Sequence, residues 1–288
     1  VRAREDAGEG IGWLLRRRHR VADRLVLSKV RELFGTRLDF AISAAAPIAA
    51  DVLDFFNAAG VRVLEAYGMT ETTAAGAINT LDEWRVGKVG RPLPPGAVRL
   101  AGDGEILMSG PHVFSGYFKD PGATAETIVD GWLRTGDLGT IDDDGFLAIS
   151  GRKKEIIITS SGKNITPTNI ENALREDRWI SEAVVYGDNR PYLVALITID
   201  PDEVPALAEE AGVEAEVVAM ARDQRVRAEI QRVIDAANER FARIEQIKRF
   251  EILPHDLTQE AGELTPTLKV KRRIVYQRYA DVFERLYA

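Results

Sequence analysis

With 288 residues, 45% of them hydrophobic, the chain is long enough for one large domain or two modest ones with real cores. Its formal charge of −7 argues against a general nucleic-acid binder, which carries a basic domain. The absence of cysteine excludes disulfides, thiol catalysis and cysteine-held metals, and it fits a reducing cytoplasm.

The opening stretch to Phe34 is polar with a helical period, placing Val21, Leu25, Val26 and Val30 on one face and Arg16-Arg-Arg-His-Arg20 outside it, as a solvated basic face. A strand-like run from Leu38 enters Ser43-Ala-Ala-Ala-Pro47. Ile48 to Ala59 then reads as a helix closed by Gly60, and Val61 to Glu65 as a second strand. Strand, crossover helix and strand in that order predict a parallel α/β sheet. Between Gly87 and Ile149 the texture changes to short β runs, such as Gly104 to Ser109 and Gly145 to Ser150, split by Pro, Gly and Asp turns; a small β-rich subdomain fits.

Past Gly151 the pattern resets. Strands are predicted at Glu155 to Thr159, Glu182 to Tyr186, Tyr192 to Ile199 and Arg249 to Leu253. Helices are predicted at Asn169 to Arg175, across roughly Glu203 to Arg240, and from Arg272 onward. The expected organisation is therefore α/β and α+β: residues 1–150 as part of a large domain, and 151–288 as a smaller α+β domain, with the boundary at Arg152 to Lys154. No apolar run approaches the ~18 residues that cross a bilayer, and the charged, glycine-interrupted N-terminus lacks a secretory pattern. The chain reads as cytoplasmic, with peripheral association at a membrane left open.

Three histidines, His19, His112 and His255, are far apart in sequence, which speaks against a multi-histidine metal site or a histidine triad. The chemistry is carried instead by four segments. Tyr67-Gly-Met-Thr-Glu-Thr72 follows a predicted buried strand, at the edge where open α/β sheets place ligands. By itself it fits almost as well a surface turn with Gly68 at positive φ and Glu71 in water. Asp137, after Thr135-Gly136, can accept from both hydroxyls of a diol or can satisfy turn donors. Trp132 reads as a buried anchor, and Asp142-Asp-Asp144 as a β-turn rather than a calcium loop. Spacing alone reads Gly151-Arg-Lys-Lys154 as a solvated basic turn before a strand, and Thr265-Pro-Thr-Leu-Lys-Val-Lys-Arg272 as the ordinary basic start of the last helix. Ser160-Ser-Gly-Lys-Asn164 lacks the first glycine and the Ser/Thr of a phosphate loop.

In this order the segments resemble the adenylate-forming (AMP-binding) acyl-CoA synthetase superfamily, and the Thr-Pro-Thr-Leu-Lys form points to its long-chain fatty-acid–CoA ligase branch. The resemblance implies that Tyr67 packs near adenine, Thr70 bonds the α-phosphate and Glu71 holds Mg2+. It further implies that Asp137 takes the ribose diol and Arg152 reaches ribose or phosphate. Lys154 becomes the hinge between two working conformations, and Lys269 the lysine of adenylation. The family usually has glycines where this chain has Ala44 and Ala45, in a loop whose backbone nears adenine; alanine restricts φ there. The family's Ser/Thr/Gly-rich phosphate loop is not found upstream of Tyr67. The chain is therefore identified as the C-terminal portion of such an enzyme, with the upstream half of the large domain as its missing partner.

The implied reaction converts a fatty acid and Mg·ATP to acyl-AMP, which CoA then attacks. Two alternatives stay open at this point: a nucleotide-binding fragment without catalysis, and an adenylating enzyme that uses another acid or a carrier-protein thiol.

Overall fold

The opening segment forms the helix that its period predicts. Helix α1 spans Trp13–Ala22, passes through a π turn at Asp23–Leu27 and continues as α2, Ser28–Leu33. Of the predicted apolar face, Val21, Leu25 and Val26 are exposed and Val30 is half-buried. Arg31 ties α2 down by donating to Asp23 and to the Ala59 carbonyl. The computed structural model describes Gly10, residues 12–35, 37–46, Ile48 and residues 50–288, in two units, Val1–Ser150 and Gly151–Ala288. Pro47 and Ala49, in the segment expected to lead into a helix, lie outside the described residues, as do residues 1–9 of the opening stretch.

In the first unit, β1 (Ala41–Ser43), α3 (Ala50–Ala59) and β2 (Val63–Tyr67) make the predicted crossover, with Ser43 paired in parallel to Glu65. Gly60, at φ 92°, ends α3 in the left-handed conformation that glycine adopts without strain. The parallel pairing stops there, which corrects the expectation of a parallel sheet. Strands β3 (Ala77–Ile78) and β4 (Arg91–Pro92) add antiparallel, in the order β1-β2-β3-β4. The short link from Tyr67 to Ala77 has no room for a crossover helix, so the chain returns antiparallel.

The β-rich subdomain contains β5 (Ala97–Leu100), β6 (Glu105–Ser109), helix α4 (Pro121–Thr127), β7 (Ile128–Val129), β8 (Trp132–Ile141) and β9 (Leu147–Arg152). Its strands run in the order β5-β6-β8-β7, with β9 on β8. Side chains alternate along β8, so Leu133, Thr135 and Asp137 share its buried face, above a core of Ile106, Met108, Leu133 and Leu147. That alternation carries a carboxylate inward.

In the second unit, β9 ends in a tight 3-10 turn at Lys153–Glu155, and the strand predicted for Glu155 to Thr159 shrinks to β10 (Ile157–Ile158), paired with β11 (Asn164–Ile165). Helix α5 (Pro167–Arg175) precedes β12 (Ile180–Tyr186) and β13 (Leu193–Ile199). The long helical stretch resolves into α6 (Val204–Ala211), α7 (Val217–Met220) and α8 (Gln224–Asn238). Gly212 at φ 66° ends α6, and the carboxylates of Glu216 and Asp223 cap the next two. Strand β14 (Ile247–Ile252) and helices α9 (Arg272–Arg278) and α10 (Ala280–Tyr287) complete the chain.

Strand β13 is central, antiparallel to β12 and parallel to β14. Every residue of it is buried because both faces are covered. Leu193, Ala195 and Ile197 meet Ile170, Leu174 and Ile230 on one side; Val194 and Leu196 meet Leu253, Val275 and Phe283 on the other. Among the described residues no helix is long and apolar enough to cross a membrane.

A register shift between Ile180 and Ala183 carries Glu182, whose side chain is 13% exposed. Burial pushes its carboxyl up to about 7; Arg175 opposes this, while Asp256 and Glu171 add to it. Below the ordinary value of 4.5 the group is neutral folded or unfolded, whereas between 4.5 and 7 only the folded chain keeps the proton. Stability is therefore lost as pH rises through that window, by up to about 3 kcal/mol. Glu182→Gln should remove this slope in urea unfolding compared at pH 5 and pH 8. A variant with the wild-type slope would place the pH dependence elsewhere.

Candidate functional site

Tyr67 ends β2, and the chain reverses at once through a 3-10 turn, Thr70–Thr72, followed by Thr73 and Ala74 at φ 53° and 60°. Gly68 is not at positive φ. A Cβ there would lie 2.3 Å from the Ala74 carbonyl oxygen, so the glycine answers a close backbone approach instead. The buried Thr72 hydroxyl accepts from the Met69 N–H at 3.0 Å and donates to the Met69 carbonyl at 3.1 Å, locking the turn. Thr70 is left exposed and Glu71 half-buried.

Two longer-range contacts fix Glu71. Its carbonyl accepts from the Phe114 N–H, and its Oε1 accepts from the Tyr117 hydroxyl, each at 2.8 Å. Burial, and then Glu71 itself, raises the Tyr117 pKa, so the phenol remains a donor.

Asp137 reaches the same strand end. The Tyr67 hydroxyl donates to its Oδ2 at 2.6 Å, joining residues 70 positions apart. Thr135 supports the turn by donating to the Ile106 carbonyl, and buried Glu105 accepts from the Gly136 N–H at 3.1 Å while pairing with Arg134. Sequence reasoning treated Tyr67 and Asp137 separately and missed Glu105 and Tyr117. The one available signal was a carboxylate inside the apolar run Gly104-Glu-Ile-Leu-Met108. Trp132 is half-buried under the Arg99 guanidinium, 4.1 Å from its ring centre. Asp142 accepts from the N–H groups of Asp144 and Phe146, as a β-turn residue does.

Because Ser43 pairs with Glu65, the loop holding Ala44 and Ala45 leaves the same sheet edge as Tyr67. Ala45 sits at φ 72°, a left-handed conformation that costs alanine roughly 1 kcal/mol and glycine nothing. The position retains the backbone of a glycine without being one.

The residues present fit a magnesium ion. Among the described residues no group of three or more His, Cys, Asp or Glu side chains forms a metal cage. A magnesium ion carried by a nucleotide needs only one or two carboxylates beside phosphate oxygens and water. Half-buried Glu71 offers a hard oxygen, Oε2, beyond the one bonded to Tyr117.

Lys269, Arg152 and Lys154 belong to the second unit. Arg152 ends β9 and Lys154 lies in the 3-10 turn, both exposed. Lys269 is exposed on a tight loop in which Thr265 and Lys269 exchange bonds: Thr265 N–H to the Lys269 carbonyl at 2.8 Å, and Lys269 N–H to the Thr265 hydroxyl at 3.0 Å. Leu264 pairs with Val270 at the loop's base, and Leu268 turns at φ 59°.

Two carboxylates that sequence reasoning did not single out brace that base. Buried Glu263 accepts from Arg278, the Tyr279 hydroxyl and the Thr258 N–H, and its carbonyl accepts from the Lys271 N–H. Burial alone would raise its carboxyl, but these donors outweigh it and hold the group below its usual value. Glu171 on α5 takes Arg272 through both carboxylate oxygens.

Two family models cover most of the chain: AMP-binding enzyme over residues 16–118, and AMP-binding enzyme C-terminal domain over residues 154–288. The chain belongs to the AMP-binding enzyme family. It is 45% identical to long-chain-fatty-acid–CoA ligase FadD15 of Mycobacterium bovis over 282 residues, 96% of this chain and 47% of that protein. The chain thus spans about half the length of the curated relatives it matches. Among solved structures it resembles the adenylation domain of a Mycobacterium chelonae carboxylate reductase, with a TM-score of 0.73 and 23% identity over 93% of this chain and 41% of that one. It also resembles o-succinylbenzoate CoA synthetase of Bacillus subtilis in complex with ATP and magnesium, with a TM-score of 0.64 and 23% identity over 86% of this chain and 49% of that one. At these identities the two likenesses show a shared fold alone.

Proposed function

We propose that the chain is the C-terminal portion of a long-chain fatty-acid–CoA ligase, completed by an upstream half of the large domain. Residues 1–150 contribute one wall of the nucleotide site, and residues 151–288 form the mobile domain, hinged at Lys154. The observation that carries this reading is the convergence of Tyr67, Glu71 and Asp137 at the carboxyl end of β2, where an open sheet places its ligand.

In this reading the Tyr67 ring packs against adenine while its hydroxyl holds Asp137, which takes the ribose hydroxyls. The exposed Thr70 hydroxyl donates to the α-phosphate. Glu71 holds the Mg2+ of Mg·ATP, an ion that supplies charge neutralisation on the phosphates when bound. A fatty carboxylate oxygen attacks the α-phosphorus, the bond to pyrophosphate breaks, and Lys269 stabilises the negative charge that builds between the two anions. Arg152 reaches ribose or phosphate. Rotation about Lys154 then withdraws Lys269, and the CoA thiol attacks the acyl carbon, releasing AMP. The relative at 45% identity supports a long-chain acid and CoA, and the solved fold neighbour with ATP and magnesium supports the co-substrate. A cysteine-free chain suits the cytoplasm.

Product analysis tests the reading. The chain joined to the upstream half, given palmitate, Mg·ATP and CoA, should form AMP and palmitoyl-CoA in equal amounts. AMP without thioester would contradict it.

A further inference from the structure

We infer that Tyr117 is the positioning residue that aims Glu71 at the magnesium nucleotide, acting through Glu71 and touching neither substrate nor metal. The inference rests on the assignment of Glu71 in the proposed function. A glutamate has three side-chain torsions, and in a half-exposed turn it samples several rotamers unless a partner fixes its plane. The Tyr117 hydroxyl, 2.8 Å from Oε1, supplies that partner and leaves Oε2 to face a hard cation. A phenol suits the role because it donates without adding positive charge next to the ion; a lysine or arginine in its place would repel the cation it serves.

The loop around Tyr117 is built to hold that aim. The Phe114 N–H binds the Glu71 carbonyl at 2.8 Å, so the loop grips the main chain and the side chain of one residue. The Phe114 ring meets the Tyr117 ring edge-on, 4.9 Å between centroids, which orients the phenol. Behind it the Thr124 hydroxyl accepts from the Tyr117 N–H at 2.9 Å and donates to the Asp120 carbonyl at 2.7 Å. Gly116, at φ 143°, lets Thr124 approach: a Cβ there would lie 2.5 Å from the threonine methyl. Helix α4, with Asp120 as its N-cap, thus anchors a tyrosine whose hydroxyl bonds the proposed magnesium ligand.

The experiment measures by calorimetry the Mg2+ concentration that half-saturates ATP binding, and ATP binding in EDTA, for the chain joined to the upstream half. Tyr117→Phe keeps the ring and removes the donor. It should raise the half-saturating Mg2+ about tenfold, with magnesium-free ATP binding and the unfolding midpoint unchanged. Glu71→Gln should raise it further. A shift with Glu71→Gln but none with Tyr117→Phe would overturn the inference and leave the proposed function standing. No shift with Glu71→Gln, or no effect of Mg2+ on wild-type binding, would overturn both. Equal weakening of magnesium-free ATP binding by Tyr117→Phe would reveal a general packing role and overturn the inference alone.

Discussion

Lys269→Ala is expected to slow acyl-adenylate formation about 100- to 1,000-fold while leaving thioester formation from preformed acyl-AMP within about threefold. The first half-reaction drives a carboxylate into a phosphate, so a cation that neutralises the developing charge acts in the transition state more than in the ground state. The second joins a thiol to an adenylate and has no such need. Lys269 suits the first role because its loop is exposed yet tied at its base by the Leu264–Val270 pairing, Glu263 and Arg272. Separate assays, pyrophosphate release for step one and single-turnover acyl transfer for step two, distinguish the halves. Equal losses in both would remove Lys269 from the adenylation step and make it a structural residue.

Arg272→Ala should cost the second unit about 3–5 kcal/mol, read as a fall in the urea midpoint. The guanidinium is 14% exposed and pairs with Glu171, 8% exposed, with one of its two bonds at 2.8 Å. Burial would lower the Arg272 pKa, but Glu171 outweighs it and the net direction is up. Removing the arginine strands a buried carboxylate that also accepts from the Val185 N–H. Replacing both partners, as Glu171→Leu with Arg272→Met, should recover most of the loss, because neither charge is then left unpaired. The Arg272 Nε is itself buried without a partner, so the pair is not fully satisfied, which favours that recovery. A loss under about 1 kcal/mol for Arg272→Ala would show that water reaches Glu171.

These expectations differ in how much of them the sequence could have supplied. The strand, helix and strand up to Tyr67 were legible because a period-2 run, a 3.6-period run and Gly60 are local signals, as was the apolar Leu193 to Ile199 strand. The direction of β3 and β4 was not, since pairing depends on the length and path of the link rather than on the strands. Motif spelling alone suggested roles for Tyr67, Asp137 and Lys269, but it could not show that Tyr67 holds Asp137 across 70 positions. Glu105, Tyr117, Glu171 and Glu263 escaped notice for the same reason. Each works through a partner between 15 and 101 residues away, and a lone carboxylate or phenol in sequence carries no mark of its partner. Ala45 is the reverse case. Its identity argued against glycine-like geometry, yet the loop keeps φ at 72°.

The measurement that bears most directly on the adenylation chemistry follows the carboxylate oxygen. Palmitate labelled with 18O at both carboxylate positions is converted with Mg·ATP and CoA, and the AMP is weighed by mass spectrometry. If the carboxylate attacks the α-phosphorus and the thiol later attacks the acyl carbon, one 18O stays on phosphorus and the AMP carries a single label. AMP without 18O would mean that water, not the fatty acid, cleaved the nucleotide, and would contradict the account.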